Sequence, residues 1–174
     1  MKTLKNIDEY HKVFGFPIID CYRRLGFDFN KEPYDTLANE WVKSYDELCC
    51  KSELCEGVFE VIKDFDNKGI KQVVVSMEEE SRLVKTLKRL DIYNYFNDVI
   101  GLDNVYAESK IELAKKWFEN YNDKNSVIIG DTDHDFFVSK ELGIDCILVC
   151  SGHQSRETLE KFGVPVINNV KELI

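Results

Sequence analysis

The stretch Ser126–Gly143, SVIIGDTDHDFFVSKELG, decides the fold of this chain. The apolar run Val127–Ile129 predicts a short buried strand, and Gly130 lets the backbone turn sharply after it. A helical pattern resumes at residues 136–142. A strand, an acidic turn and a helix in this order are how an open α/β sheet builds a ligand site at the carboxyl edge of its strands.

The acidic turn predicts a cation site. Asp131, Asp133 and Asp135 fall within five positions, and carboxylates this close repel one another unless a cation or strong donors lie among them. Mg²⁺ accepts carboxylate oxygens in an octahedral shell, usually one or two of them from protein. The alternative is a solvated turn whose Asp caps the next helix. His134, in the same loop, either contacts the substrate or tunes the metal, or is an exposed loop histidine.

The composition argues against two classes of partner. At 174 residues the chain is long enough for one domain with a small insert, and its 44% apolar residues suffice for a core. The net charge of −9 argues against nucleic acid, because binding to that polyanion depends on basic patches. No apolar run approaches the ~20 residues of a membrane helix, so we expect no membrane partner.

The cysteines predict a reducing compartment. The first residues, MKTLKNIDEYHKVF, contain no apolar signal core, so we expect a cytoplasmic protein whose six cysteines stay reduced. Cys49, Cys50 and Cys55 have no second ligand pair at zinc-finger spacing. Ordinary packing is therefore the simpler explanation for these three residues.

The chain divides into a helical beginning and an alternating remainder. Apolar spacing predicts helices only in residues 1–55, the last of which aligns Leu37, Trp41, Tyr45 and Leu48 on one face. We expect these side chains to form a small core rather than a ligand-binding site. From residue 56 onward strands alternate with helices, which predicts parallel crossovers and a doubly wound sheet. The predicted strands are 72–75, 96–100, 127–129, 146–149 and 164–167.

Ser76 and Lys110 fall where such a sheet binds its ligand. Ser76 directly follows a predicted strand and precedes a helix, so its hydroxyl and the free N–H groups at Ser76 and Met77 suit a phosphate oxygen. The same serine, with Glu79, also fits a capping box, and the two roles are compatible. Lys110 opens another helix, where a cation is unfavourable to the helix dipole. Either an anion lies nearby or Lys110 is a solvated surface lysine.

In this order, the three elements resemble motifs two, three and four of the haloacid dehalogenase-like (HAD) hydrolases. VVVSM resembles the second motif, AESKIELAKK the third, and GDTDHDFFVSKELGI the fourth. The resemblance covers nearly the whole chain and is closest to the phosphoglycolate-phosphatase-like branch, in which a helical cap is inserted early in an α/β core. It implies a cap at residues 1–55 and a Rossmann-type core at residues 56–174.

The resemblance also implies a role for each residue of the site. Ser76, together with Met77, would bind the transferring phosphate. Lys110 would neutralise charge on the phosphate and the nucleophile, so Ser76 and Lys110 are the candidate catalytic residues. Asp131 and Asp135 would hold Mg²⁺.

One motif of the family is missing from this sequence. HAD hydrolases attack phosphorus with the first Asp of a D-x-D-G-T stretch on their first strand, and no such stretch occurs here. Residues 64–66, Asp-Phe-Asp, have the D-x-D spacing but lie at a predicted helix end. In the family the first strand lies between the strands that end here at Ser76 and Gly130. We therefore expect those two strands to pair directly, or a segment or another chain to complete the sheet.

These patterns predict an Mg²⁺-dependent phosphatase of a small phosphorylated metabolite, acting through an aspartyl-phosphate. Because the nucleophilic Asp is missing, we expect little or no turnover from the chain as given. Either an N-terminal stretch is left out of the sequence, or the protein is a naturally shortened relative. Two alternatives stay open: a non-catalytic phosphate-binding or regulatory relative, and a phosphosugar mutase. An in-frame D-x-D-G-T upstream in the coding DNA would favour a shortened enzyme, and a stop codon there would favour the regulatory relative.

Overall fold

The computed structural model describes residues 3–102, 110–121 and 123–174, which form two compact units. The helical unit comprises Met1–Glu53 and His153–Ser155, and the α/β unit comprises Leu54–Gly152 and Arg156–Ile174. Across the described ranges, every helix is too short or too polar to span a lipid bilayer.

The helical unit contains the helices that apolar spacing predicts. Helices α1 (Ile7–Val13), α2 (Ile18–Arg24) and α3 (Tyr34–Cys49) follow one another. Asn6 starts α1 by accepting a hydrogen bond from the Glu9 N–H on its side-chain oxygen. Among the described side chains of these helices, the buried ones are Val13, Cys21 and Leu37.

The expectation that four side chains of α3 form a small core is wrong for two of them. Leu37 is buried, but Trp41 is 56% exposed and Leu48 is 60% exposed. Trp41 stacks on Tyr45 with the ring centroids 5.1 Å apart, which covers one face of the indole only. Helical spacing aligns apolar side chains on one face, but it does not determine whether another element covers that face.

The α/β unit alternates helices with parallel strands, which confirms the predicted fold class. Its helices are α4 (Val58–Asn67), α5 (Glu80–Arg89), α6 (Lys110–Tyr121), α7 (Asp133–Leu142) and α8 (Arg156–Leu159). Its strands are β1 (Val73–Glu79), β2 (Asp98–Leu102), β3 (Val127–Gly130), β4 (Asp145–Val149) and β5 (Val166–Ile167). Short 3₁₀ helices lie at Tyr93–Tyr95, Glu160–Phe162 and Val170–Leu173.

The strands form two parallel sheets, one of β1 and β2 and one of β3, β4 and β5 in that order. Val74 is in register with Val99 in the first sheet, and Ile128 is in register with Cys146 in the second. The expected direct pairing of residues 72–76 with residues 126–130 is wrong, because no ladder joins β1 to β3 in the described part of the chain.

Helices α6 and α7 connect the two sheets. They pack against each other, α6 also packs on β1, and α7 packs on β3 and β4. Val75 of β1 and Ile128 of β3 both pack against the same buried cluster. The members of that cluster are Ala114, Phe118, Val138 and Leu142. The opposite face of β1 and β2 packs through Val74 and Val99 on a second cluster from α4, α5 and the turn that follows α5.

The ends of the first two strands differ from the prediction. Strand β1 runs through Ser76 as far as Glu79, so α5 begins only at Glu80 and the proposed Ser76–Glu79 capping box is wrong. Pairing of Glu79 with Leu102, after an irregularity in the register, holds those residues in extended conformation. Strand β2 begins at Asp98 rather than at residue 96, because the turn Tyr93–Tyr95 precedes it.

Candidate active site

The acidic loop after β3 is organised by the buried carboxylate of Asp135, which is 3% exposed. Its Oδ2 accepts hydrogen bonds from the Asp131 N–H at 3.2 Å, the Thr132 N–H at 3.1 Å and the Thr132 hydroxyl at 3.0 Å. Thr132 is the N-cap of α7, and Asp135 is its partner in a capping box. The helix cap is therefore Thr132, whereas the sequence left open an Asp in that role.

Lys110 forms an ion pair with the same carboxylate. Its Nζ lies 2.6 Å from Asp135 Oδ1, and the two side chains are 20% and 4% exposed. Lys110 is the first residue of α6, where the helix dipole disfavours a cation, and the adjacent carboxylate offsets that cost. Of the two alternatives that the sequence left open for Lys110, the structure shows a nearby anion, and that anion is Asp135. Because both side chains are largely buried, removing one partner would leave the other as an uncompensated charge, which is costly.

Two glycines bring backbone close to the acidic loop. A Cβ at Gly130 would lie 2.0 Å from Asp135 Cγ, so the end of β3 has no room for a side chain. A Cβ at Gly152 would lie 1.6 Å from Asp131 Oδ2. The segment after β4 therefore packs against Asp131, a contact that the sequence analysis missed. The sequence feature that could have indicated this contact is a glycine shortly after a strand whose carboxyl end lies at the same edge of the sheet as the acidic loop.

Ser76 and Met77 belong to the other sheet. The Ser76 hydroxyl accepts a hydrogen bond of 3.1 Å from the Glu78 N–H, which is a local contact within the strand end. Met77 is 37% exposed. The contacts of the described residues thus bring together Lys110, Asp131 and Asp135, while Ser76 and Met77 stay on β1.

Carboxylate oxygens such as those of Asp131 and Asp135 are ligands that suit a hard cation such as Mg²⁺. Both oxygens of Asp135 already accept hydrogen bonds from Lys110 and the loop. His134 is half-buried at the second position of α7. Among the described residues, no group of three or more His, Cys, Asp or Glu side chains is arranged around a metal position.

A cysteine lies close to this site on β4. Burial raises the pKa of the Cys146 thiol, a hydrogen bond with Ser139 opposes that rise, and the charge of Asp135 adds to it. The described cysteines are free thiols, including Cys49, Cys50 and Cys55. The neutral thiol of Cys146 therefore behaves as a small apolar side chain of the core.

The helical unit contains one polar contact that the sequence analysis did not foresee. The Tyr10 hydroxyl lies 2.6 Å from Nδ1 of His153, and the His153 ring stacks on Phe14 with centroids 4.7 Å apart. His153 follows Gly152 directly in sequence. These partners are 143 positions apart, so no local pattern relates them.

Comparison with protein families decides the classification. The model of the haloacid dehalogenase-like hydrolases matches residues 2–149. The chain belongs to this family. Pyrophosphatase PpaX of Halalkalibacterium halodurans is 24% identical over 154 residues, which are 87% of this chain and 70% of that protein. A phosphoglycolate phosphatase of Pseudomonas fluorescens is 24% identical over 123 residues, which are 68% of this chain and 45% of that protein.

Solved structures share the fold of this chain. A haloacid dehalogenase-like hydrolase from Streptococcus pneumoniae superposes with a TM-score of 0.79 at 15% identity, covering 98% of this chain and 80% of that chain. The structure described as a predicted phosphatase from Clostridium acetobutylicum gives a TM-score of 0.75 at 21% identity, covering 98% and 81%. These likenesses establish the HAD-like α/β architecture of the chain.

Proposed function

We propose that the chain is an Mg²⁺-dependent HAD phosphatase scaffold for a small phosphorylated metabolite, located in the cytoplasm. The observation that carries the proposal is the Lys110–Asp135 ion pair of 2.6 Å beside the loop that contains Asp131. This arrangement holds an ammonium group and a carboxylate at the carboxyl end of a parallel strand. Cations there stabilise the charge of a phosphoryl group during transfer.

Each residue has a distinct role in this proposal. Asp131 holds Mg²⁺, which when bound supplies positive charge to the phosphate oxygens. Asp135 is a positioning residue, because its carboxylate holds the Lys110 ammonium and the loop N–H groups in place. Lys110 neutralises a phosphate oxygen, and Ser76 donates its hydroxyl to another. The helical unit serves as the cap that selects the substrate.

The covalent step needs a carboxylate that the sequence does not supply in the expected motif. No D-x-D-G-T occurs in the 174 residues, and residues 64–66 lie near the end of α4, as expected for a helix end. A non-catalytic phosphate-binding protein is therefore the second candidate. A phosphosugar mutase is the third, because a Thermotoga maritima structure bearing the name beta-phosphoglucomutase has the same fold, with a TM-score of 0.69 at 17% identity.

Calorimetric titration tests the binding site, first with Mg²⁺ and then with inorganic phosphate in saturating Mg²⁺. We expect Asp131→Asn to abolish Mg²⁺ binding. Lys110→Gln should retain Mg²⁺ but weaken phosphate by about 10-fold or more, since a charge-assisted hydrogen bond contributes roughly 1.5–3 kcal/mol. The matched control is Lys115→Gln, because Lys115 pairs with Glu141 at the surface. Wild-type Mg²⁺ affinity in Asp131→Asn would refute the proposed site.

Turnover of a generic aryl phosphate separates the enzyme from the binding protein. We expect Mg²⁺ and phosphate binding together with little or no hydrolysis by this chain. Hydrolysis at ordinary enzymatic rates that disappears in Lys110→Gln would show that the chain carries its own nucleophile. That result would remove the non-catalytic candidate and our expectation of inactivity.

A further inference from the structure

His153 is held by two aromatic side chains of α1 and its C-cap. Its Nδ1 lies 2.6 Å from the Tyr10 hydroxyl, and its ring stacks on Phe14 with the two ring planes 15° apart. Tyr10 and Phe14 are four positions apart in sequence, so both lie on the same side of the helix. Phe16 packs edge-on against Phe14 and extends the aromatic cluster. The stacking and the hydrogen bond together fix the plane and the rotation of the imidazole ring.

The residues on either side of His153 also have close neighbours. Gly152 packs on Asp131 so tightly that a Cβ would meet three atoms of that side chain, the nearest at 1.6 Å. The φ of Gly152 lies outside the left-handed region, so the space beside Asp131 requires a glycine here and the backbone conformation does not. Gln154 is only 5% exposed. Residues 152–154 are therefore a short segment with a defined environment at each position.

One peptide bond joins the contact of His153 to the contact of Asp131. His153 belongs to the helical unit, and Gly152 belongs to the α/β unit. Because a glycine has no side chain that could anchor its backbone, the position of Gly152 depends on its neighbours along the chain. The contact between Tyr10 and His153 thus restrains the backbone that lies against the Asp131 carboxylate.

We propose that Tyr10 and His153 are positioning residues for Asp131. By holding His153, the Tyr10 hydroxyl keeps the Gly152 backbone against the Asp131 carboxylate and so maintains the carboxylate orientation that binds Mg²⁺. This inference rests on the proposed function, in which Asp131 holds the ion. Groups that orient a metal ligand without touching the metal are required for full metal affinity in many proteins.

The hydrogen bond between Tyr10 and His153 limits the size of the effect. His153 is exposed and Tyr10 is half-buried, so the bond is an ordinary one in contact with solvent. Such a bond shifts an equilibrium by about 3- to 10-fold. Its coupling to Mg²⁺ binding cannot exceed that factor, because a restraint transmits no more free energy than it contributes.

Calorimetric titration of the full chain with Mg²⁺ tests the role of the hydroxyl. We expect Tyr10→Phe to weaken Mg²⁺ binding by about 3- to 10-fold. The matched control is Tyr34→Phe, which removes a hydroxyl from a ring of the same unit that packs on Tyr22 and Phe29. It should bind Mg²⁺ like the wild type. Equal Mg²⁺ affinity in Tyr10→Phe and the wild type would overturn the proposal.

A conservative replacement of His153 separates positioning from general stability. The side-chain amide of His153→Asn places an acceptor near the position of Nδ1, whereas His153→Ala places none there. We expect His153→Ala to lose at least as much Mg²⁺ affinity as Tyr10→Phe. His153→Asn should recover part of that loss when Tyr10 is present and none of it when combined with Tyr10→Phe. Equal recovery with and without the Tyr10 hydroxyl would contradict the proposed pair.

A double variant tests the route through Gly152. In Gly152→Ala the new Cβ already displaces the Asp131 carboxylate, so adding Tyr10→Phe should cause no further loss of Mg²⁺ affinity. If the two losses simply add, Tyr10 acts by another route and the proposal is wrong.

Hydrogen exchange without Mg²⁺ measures the restraint itself. The N–H groups of Asp131 and Thr132 donate to Asp135, so their exchange reports how firmly the acidic loop is held. In Tyr10→Phe we expect faster exchange in residues 131–132 and 152–154, with no change in the ladder between β3 and β4. Wild-type exchange in both segments would also overturn the proposal.

The inference and the proposed function fail separately in these experiments. Faster exchange in Tyr10→Phe, in a protein whose wild type has no Mg²⁺ affinity, would keep the positioning of Asp131 and refute the proposed function. Mg²⁺ binding that is equal in both proteins, with unchanged exchange, would keep the proposed function and refute the positioning role.

Discussion

The ends of β1 and β3 hold the two halves of the candidate site in different ways. At the end of β3, Asp135 makes three hydrogen bonds to its own loop and an ion pair with Lys110, and it is almost fully buried. At the end of β1, Ser76 makes a local hydrogen bond to Glu78, and Met77 is exposed. The proposed cation half of the site is thus held by contacts within this chain. The proposed phosphate half lies on β1, whose second edge has no strand partner in the described ranges.

Asp135→Asn is expected to have the largest effect on stability. Asn has one acceptor oxygen, so its amide nitrogen would face either the Lys110 ammonium or the loop donors that now bind Oδ2. Removing one partner of a buried ion pair costs about 3–5 kcal/mol. Denaturant titration should show this as a loss in the free energy of unfolding. Asp64→Asn is the control, because the Lys68–Asp64 pair has the same 2.6 Å distance but side chains 55% and 32% exposed. That control should lose about 0.5 kcal/mol, and an equal loss in both variants would contradict the contrast drawn here.

Gly152→Ala is expected to affect the metal site more than the fold. The new Cβ would collide with Asp131 Oδ2 and displace that carboxylate. Altered support of a metal ligand typically costs 10- to 100-fold in affinity, so we expect at least about a 10-fold weaker Mg²⁺ complex by calorimetry. Gly163→Ala is the control, since nothing lies within 4 Å of the Cβ position there and its φ is +68°. It should lose about 1 kcal/mol of stability with no change in Mg²⁺ affinity.

Ser76→Ala is expected to have the smallest effect on stability. Its described hydrogen bond is local, so the free energy of unfolding should fall by no more than about 1 kcal/mol. The affinity for inorganic phosphate with Mg²⁺ should nevertheless fall by about 10-fold, if the hydroxyl donates to the anion. Ser81→Ala, at an exposed local contact with Glu79, should leave phosphate affinity unchanged. A stability loss near that of Asp135→Asn would show that both strand ends are equally fixed.

Local pattern predicted the elements, but not the long-range contacts. Apolar periodicity indicated the helices and the parallel strands. The unfavourable position of Lys110 left open a nearby anion or a solvated lysine, and only the fold identifies Asp135 as its partner. The end of β1 was misplaced because Ser-x-x-Glu fits a capping box equally well, whereas the strand continues past Ser76 to Glu79, which pairs with Leu102 of β2. The packing of Gly152 on Asp131 depends on two strands that meet only in the folded chain.

Each unit contains one tryptophan, and the difference in exposure of the two indoles gives each unit its own fluorescence signal. The chain has two tryptophans, and Trp41 of the helical unit is 56% exposed. Trp117 lies in the α/β unit, where its indole N–H donates to Asp98 Oδ2 at 2.9 Å. Iodide should therefore reduce the fluorescence intensity of Trp41 more than that of Trp117. Replacing either indole by phenylalanine would let fluorescence follow the melting of one unit at a time.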